Sequence, residues 1–419
     1  MPVFTNLLSS GGNGISSGDA GYHDGITCEK VLLRKLINTA SFGYDGYVFY
    51  IRSTTDGSNI YIFRYGYGLY KFNGTTLTQM SLPVDNVGYL KGCTIIWHNG
   101  ALHMIGGIER SSSSSDPTCI YDHYRYNGSS WTKISTLPVP MYYGSAVVYD
   151  GKLLIIENLH EADDNRSSDN DYYTNHKFAV YQFNDSTNTW SQFGPDIISG
   201  ETEQRTIPGL YTDGKSLFVN RSYKLSFDTV ITQRFKYVNN NWLYWGENEE
   251  CPGNGVNNNS KYDKLFGKSI YMGYSDIKVL RESTSWDPYN PRCNYRFSNP
   301  LCVVNGEVYA IESGGRTIEK YTPATIFNLP AGATIYTNDT EYAKINGSKT
   351  LDKESTVIIA NKPGIYATVM IGNTVIYMQA DVTNHRVYGI KGMVVNNTKI
   401  ESTGLKTIPN IEYSISVDY

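Results

Sequence analysis

The chain has 419 residues, enough for one large core and room for two domains. Its 36 Lys and Arg nearly balance its 40 Asp and Glu, so the net charge of −4 excludes the broad basic field of a general nucleic-acid binder. No apolar run is long enough to span a bilayer, and the six cysteines are too sparse and unpatterned for a disulfide scaffold or a CxxC metal site.

Residues 1–40 open with a Gly- and Ser-rich stretch that reads as an arm, ending in an apolar run, VLLRKLI, that reads as a strand or a short lead-in helix. The start, MPVFTNLLSS, has no basic residues ahead of a long apolar run, so it is not expected to act as a secretory signal.

From residue 41 to 322 one unit recurs roughly every fifty residues. An apolar strand meets a turn at Asp45-Gly46, Asn99-Gly100, Asp150-Gly151, Asp213-Gly214, Gly267-Lys268 and Asn305-Gly306. A second apolar strand follows each turn, a third ends in an aromatic residue, and a fourth starts at Trp131, Trp190, Trp242 or Trp286, with Leu77 in that place in the first unit. Four strands per period cannot cover both faces of their own sheet, so such units pack face to face in a ring. The expected architecture is all-β: a β-propeller of roughly six blades.

The best-kept unit, Thr94 to Pro140, carries Gly106-Gly107, Tyr126 and Trp131 in the order of the kelch repeat, which this stretch resembles. Phe183 with Trp190 and Tyr237 with Trp242 keep the last two markers, while Gly314-Gly315 comes late in the sixth unit. The resemblance implies a degenerate kelch-like propeller over about two thirds of the chain and is specific for fold, not function. Residues 323–419 lack Trp and Cys and alternate apolar and polar residues, which predicts a small antiparallel β-sandwich of about seven strands.

Function is expected in the loops between second and third strands, 108–118 and 159–176, because long polar loops on a rigid scaffold are where binding concentrates. Tyr172 and Tyr173 beside Asp163, Asp164, Asp169 and Asp171, with Arg110 in the other loop, offer ring stacking plus hydrogen-bonding groups for a sugar or a protein epitope. The acidic residues do not follow a calcium-loop spacing. His98 and His103 flank the Asn99-Gly100 turn and are placed to face a central channel, but no copper-oxidase ligand set, sialidase box, GxSxG elbow or P-loop accompanies them. Neither a catalytic residue nor a metal or cofactor is therefore expected. The sequons at Asn73 and Asn127 read as turn chemistry.

The texture of arm, degenerate ring and β tail is similar to bacteriophage tail-fibre and baseplate proteins. That resemblance implies a non-catalytic, homo-oligomeric component of an extracellular particle or virion. Its arm would dock to other particle subunits, and its outer domains would bind a bacterial surface polysaccharide or protein, with no nucleic acid and no membrane insertion. The alternative is a carbohydrate-active propeller enzyme, a sugar epimerase or mutarotase or a glycan lyase.

Overall fold

A computed structural model describes residues 27–38, 51–84, 90–109, 118–139, 141, 144–156, 177–198, 209–212, 215–224, 230–248, 261–265, 268–272, 277–280, 286–288, 299–311, 317–360, 362, 364–371, 374–381, 386–395, 398–401 and 416–417. No helix among these is long and apolar enough to cross a membrane. The fold is all-β and propeller-like, built mainly from four-stranded antiparallel sheets in which most neighbouring strands follow one another along the chain.

The first sheet is Ile51–Thr55, Ile60–Arg64, Gly68–Phe72 and Leu77–Met80. The second is Thr94–His98, Ala101–Ile105, Asp122–Tyr126 and Trp131–Thr136, and the third Ser145–Tyr149, Lys152–Ile156, Val180–Asn184 and Thr189–Gln192. The fourth is Gly209–Thr212, Leu217–Lys224, Val230–Val238 and Asn241–Asn248, and the fifth Lys261–Leu265, Lys268–Met272, Ile277–Leu280 and Trp286–Pro288. The sixth takes Asn299–Val304, Glu307–Ile311 and Ile318–Leu329, and its outer strand is Thr27–Asn38 from the far end of the chain. The segment around VLLRKLI is thus a strand, paired from Thr27↔Asn328 to Asn38↔Ile318.

The core lies between sheets. Ile51, Ile60, Ile62 and Phe72 of the first pack on Leu301, Tyr309, Ile311 and Ile318 of the sixth. Phe63 and Leu69 meet Ile95, Leu102 and Met104 of the second. Side-chain hydroxyls of the innermost strands add cross-sheet hydrogen bonds. Ser53 Oγ donates to Leu301 O at 2.5 Å, Thr94 Oγ1 to Gly144 O at 2.6 Å and Ser145 Oγ to Leu210 O at 3.0 Å, while Thr54 Oγ1 accepts from Trp97 N at 3.0 Å. Corresponding positions meet, so the innermost strands of these sheets run in the same direction. Their starts define a loop end and their finishes a turn end.

These hydroxyls correct one sequence expectation. The first sheet's inner hairpin turns at Asp56-Gly57, not at Asp45-Gly46, which lies outside the described residues. Asp56 Oδ1 accepts from the backbone N–H of Ser58 at 2.8 Å and Asn59 at 2.6 Å, closing the turn. The strand IRSTT carries polar residues whose hydroxyls serve the neighbouring sheets.

Where the turn was placed correctly, the geometry follows. Asn99, Asp150 and Asn305 have φ of 46°, 49° and 52°, each followed by a glycine also at positive φ, as a two-residue type I′ hairpin requires. At Asn73 and Asn127 the side-chain oxygen accepts from backbone N–H groups two and three residues on, which is turn chemistry. The repeat's aromatic pairs are cross-strand neighbours, with ring centroids 5.2 Å apart for Tyr126–Trp131 and 5.1 Å for Phe183–Trp190. Trp131 Nε1 reaches across to Ser81 O at 2.8 Å, tying the second sheet to the first.

Beyond the sixth sheet, one seven-stranded antiparallel sheet runs in the order Gly347–Thr350, Thr334–Thr337, Tyr366–Ile371, Thr374–Asp381, Arg386–Val395 and Thr398–Glu401, with Ser416–Val417 also on Arg386–Val395. Ser355–Ala360 pairs instead with the distal half of Ile318–Leu329, which runs straight through residue 322. An ion cluster sits at this junction. Lys362 Nζ lies 2.9 Å from Glu307 Oε1 and 2.8 Å from Glu341 Oε2, Lys320 Nζ 3.0 Å from Glu307 Oε1, and Lys35 Nζ 3.0 Å from Glu341 Oε1. Burial raises the Glu341 pKa, but the hydrogen bonds from Lys362 and Lys35 outweigh it and hold the carboxyl at about 2. Lys362→Met leaves the buried Glu307 carboxylate with one fewer cation and should cost about 2–3 kcal/mol in urea unfolding. Lys35→Met, on a side chain 54% exposed, should cost under about 0.5 kcal/mol.

Candidate functional site

The loop end of the first two sheets gathers cations. Arg64 closes the apolar strand IYIFR, opposite Ile51 at the start of the inner strand. It is 2% exposed, and its guanidinium lies 3.9 Å from the centroid of the Tyr67 ring. Arg52 is half-buried, its Nη1 donates to Ile51 O at 3.3 Å, and its charge reaches the Cys93 thiol of the second sheet. Lys91, 8% exposed, leads into the second sheet. On the fourth sheet Arg234, 1% exposed, stands opposite Asn220, itself opposite Gly209 at the start of that sheet's inner strand, so it lies at the same end. Charged groups this deeply buried are held at a solvation cost, which polar partners around them must offset. The Cys93 thiol is no nucleophile here, since burial pushes its pKa up to about 12.

Gly106 and Gly107 shape this end. Gly106 N donates to Asp122 O at 3.0 Å and Gly107 N to Met141 O at 2.8 Å, which draws the lead-in to the third sheet against the second.

His98 and His103 do not face a channel. They turn into the interface of the second and third sheets, where His123 joins them, and all three are at most 2% exposed. His98 Nε2 lies 2.8 Å from Asp185 Oδ2, which also accepts from Asn99 Nδ2 at 2.9 Å. His103 Nδ1 is 2.8 Å from His123 Nε2, His123 Nδ1 is 3.0 Å from Ser135 Oγ, and Trp190 Nε1 donates to Ser135 Oγ at 3.1 Å. Phe183 covers the pair edge-on, with centroids 4.6 Å from His123 and 6.3 Å from His103.

The proton order follows from the partners. His103 also bonds the His98 backbone in a way that favours its protonated form, so its Nε2–H donates to that carbonyl. Its Nδ1 must then accept from His123 Nε2–H, and His123 Nδ1 accepts from the Ser135 hydroxyl. Every polar atom of the chain is satisfied with both rings neutral. Burial first, and then the neighbouring His98, hold His103 at about 4, while burial and then His103 hold His123 at about 2. This is a polar brace between two sheets whose three imidazoles are buried, while Ser135, Asp185 and Trp190 at its margin are partly exposed.

The residues expected to bind ligand, Arg110, Asp163, Asp164, Asp169, Asp171, Tyr172 and Tyr173, lie outside the described residues. The strands flanking their loops, Ala101–Ile105 with Asp122–Tyr126 and Lys152–Ile156 with Val180–Asn184, finish and resume at the loop end. Arg52, Arg64, Lys91 and Arg234 were not singled out from sequence. The signal for Arg64 was a cation closing an otherwise unbroken apolar strand.

No protein-family model matches the chain, and no curated protein matches it. Among solved structures, YjhT is 17% identical over 68% of this chain and 96% of its own, with a TM-score of 0.46. A GH43_12 protein retrieved from capybara gut metagenome is 10% identical over 92% of this chain and 86% of its own, with a TM-score of 0.38. Neither is named as a phage or particle component, and the second carries a glycoside-hydrolase designation. The expectation of a non-catalytic phage-tail or host-attachment component, and of no enzyme, is corrected accordingly.

Proposed function

We propose that the chain is a carbohydrate-active enzyme whose six four-stranded sheets close into a six-bladed ring, with an acidic sugar held at the loop end. Ring closure is supported by the innermost strands, which neighbour one another in cyclic order from the first sheet to the sixth and back to the first. The strand Thr27–Asn38 completes the last blade, and in this reading the region past residue 322 is a small β-sandwich whose larger layer is the seven-stranded sheet.

The observation that carries the substrate class is the burial of Arg64 and Lys91, together with half-buried Arg52, whose charge reaches Cys93, at the loop end of the first two sheets. A guanidinium offers paired donors to a carboxylate, and a partly desolvated setting strengthens that contact. The loops at 108–118 and 159–176 complete the site in this reading. Tyr172 and Tyr173 stack on the sugar ring, the four aspartates accept from its hydroxyls, and Arg110 adds a further cation.

The test is a panel of acidic and neutral sugars and glycans, followed by NMR for anomeric or epimeric exchange and by product sizing for cleavage. Arg64→Met and Arg52→Met should each lower kcat/KM on the acidic substrate by about 100-fold or more, at unchanged near-UV circular dichroism. Turnover of no member of the panel, or full turnover by both variants, sinks the proposal.

A further inference from the structure

The seven-stranded sheet presents two unlike faces. On one, Ile335, Ala367, Val369 and Ile371 are buried, at 0%, 2%, 1% and 7% exposure. On the other, Tyr336 and Tyr366 are each 40% exposed. Register places them on one face: Tyr336 is opposite Thr368, and Tyr366 lies two residues along the same strand, making a diagonal pair about 7–8 Å apart. Thr334, Thr350 and Ser348 continue that face across the outer strands, with Thr334 Oγ1 3.0 Å from Thr350 Oγ1.

Two properties set this face apart. It carries no charge at Thr334, Tyr336, Ser348, Thr350, Tyr366 or Thr368, whereas the loop end of the ring is cationic. It is also pre-ordered. Tyr366 N donates to Asn338 Oδ1 at 3.1 Å, Asn338 Nδ2 donates to Gly364 O at 2.8 Å, and Thr337 Oγ1 donates to Tyr366 O, so the strand bearing one ring is tied to the strand bearing the other.

We propose that this face is a second carbohydrate site, one that holds an uncharged polysaccharide chain flat across the sheet. Tyrosine rings stack on the C–H faces of successive sugar rings, and the threonine and serine hydroxyls between them exchange hydrogen bonds with sugar hydroxyls. An acidic chain would find no cation among these positions, and a protein partner would find two separate rings among hydroxyls, with Met370 opposite Thr334 as the one other large apolar side chain, rather than the continuous apolar centre of an interface. The inference rests on the carbohydrate reading above and deepens it, by separating a neutral polymer on the sheet from an acidic sugar at the ring.

Affinity electrophoresis of the full chain through gels containing neutral β-glucan, xylan or mannan tests it. At least one polymer should retard the protein. Tyr336→Ala and Tyr366→Ala should each weaken retardation at least tenfold and the double variant abolish it, at unchanged near-UV circular dichroism, while Tyr366→Phe stays within threefold of the parent. Retardation by none of the polymers, or equal retardation of the double variant, overturns the proposal. A dimer by light scattering that the double variant dissolves overturns it too, by assigning the face to a second copy. Arg64→Met should leave retardation intact. If turnover is absent and Tyr-dependent retardation persists, the enzyme reading fails and this one stands; turnover without retardation gives the converse.

Discussion

Gly106→Ala should destabilise the protein by about 3–4 kcal/mol, read as a loss of midpoint in urea, whereas Gly74→Ala should cost only about 1 kcal/mol. Both glycines sit at positive φ, 67° and 94°, so both substitutions strain the backbone. They differ in what the new methyl meets. At Gly74 nothing lies within 4 Å. At Gly106 the methyl would overlap the carbonyl oxygen of Met141 and come within 2.9 Å of its Cβ. That carbonyl is the acceptor for Gly107 N, so relief of the overlap breaks a hydrogen bond in the same movement. Met141 itself is buried in the cluster between the second and third sheets. Equal losses for the two variants would mean that the double glycine serves only as a flexible turn.

Acidification is expected to weaken the protein steeply between pH 6.5 and 4, through the histidine brace. An unfolded imidazole titrates near 6.5, while in the folded protein burial keeps His103 at about 4 and His123 at about 2. Folded pKa values below the unfolded value mean that the unfolded chain binds more protons in this window. Stability is therefore full above about pH 6.5 and falls as pH drops, levelling off only below the folded values. His103 alone accounts for a loss of about 3 kcal/mol by pH 4, and His123 steepens the fall. The comparison is urea unfolding at pH 7.5, 5.5 and 4.5 for the parent and for a His103→Gln/His123→Gln double variant. The double variant should start lower, because it breaks a satisfied network, and should lose much less on acidification. A parent equally stable at pH 4.5 and 7.5 removes the argument.

Much of the scaffold was legible because it rests on local chemistry. Asn-Gly and Asp-Gly pairs specify hairpins by backbone conformation, and a Tyr or Phe five to seven residues before a Trp marks a cross-strand pair. The failures were also local in kind. The strand IRSTT reads as polar because its hydroxyls are spent on neighbouring sheets, which no single-strand pattern reveals. The candidate site was harder still. Arg64 and Arg234 are single cations within ordinary strands and Lys91 one just ahead of a strand, and only sheet packing buries them at one end. Likewise His98, His103 and His123 form no spaced motif, since the brace depends on Asp185 and Trp190 from the next sheet.

The sequence by itself determined the all-β class, the four-strand period, the turns at Asn99, Asp150 and Asn305 and the change of texture past residue 322. Those features follow from φ preferences and side-chain alternation within a few residues of chain. Tertiary structure alone decided which strand completes the sixth sheet, where the buried charges gather and which face of the C-terminal sheet stays open. Thr27 pairs with Asn328, 301 residues further along the chain, and a contact at that separation leaves no local pattern from which it could be read.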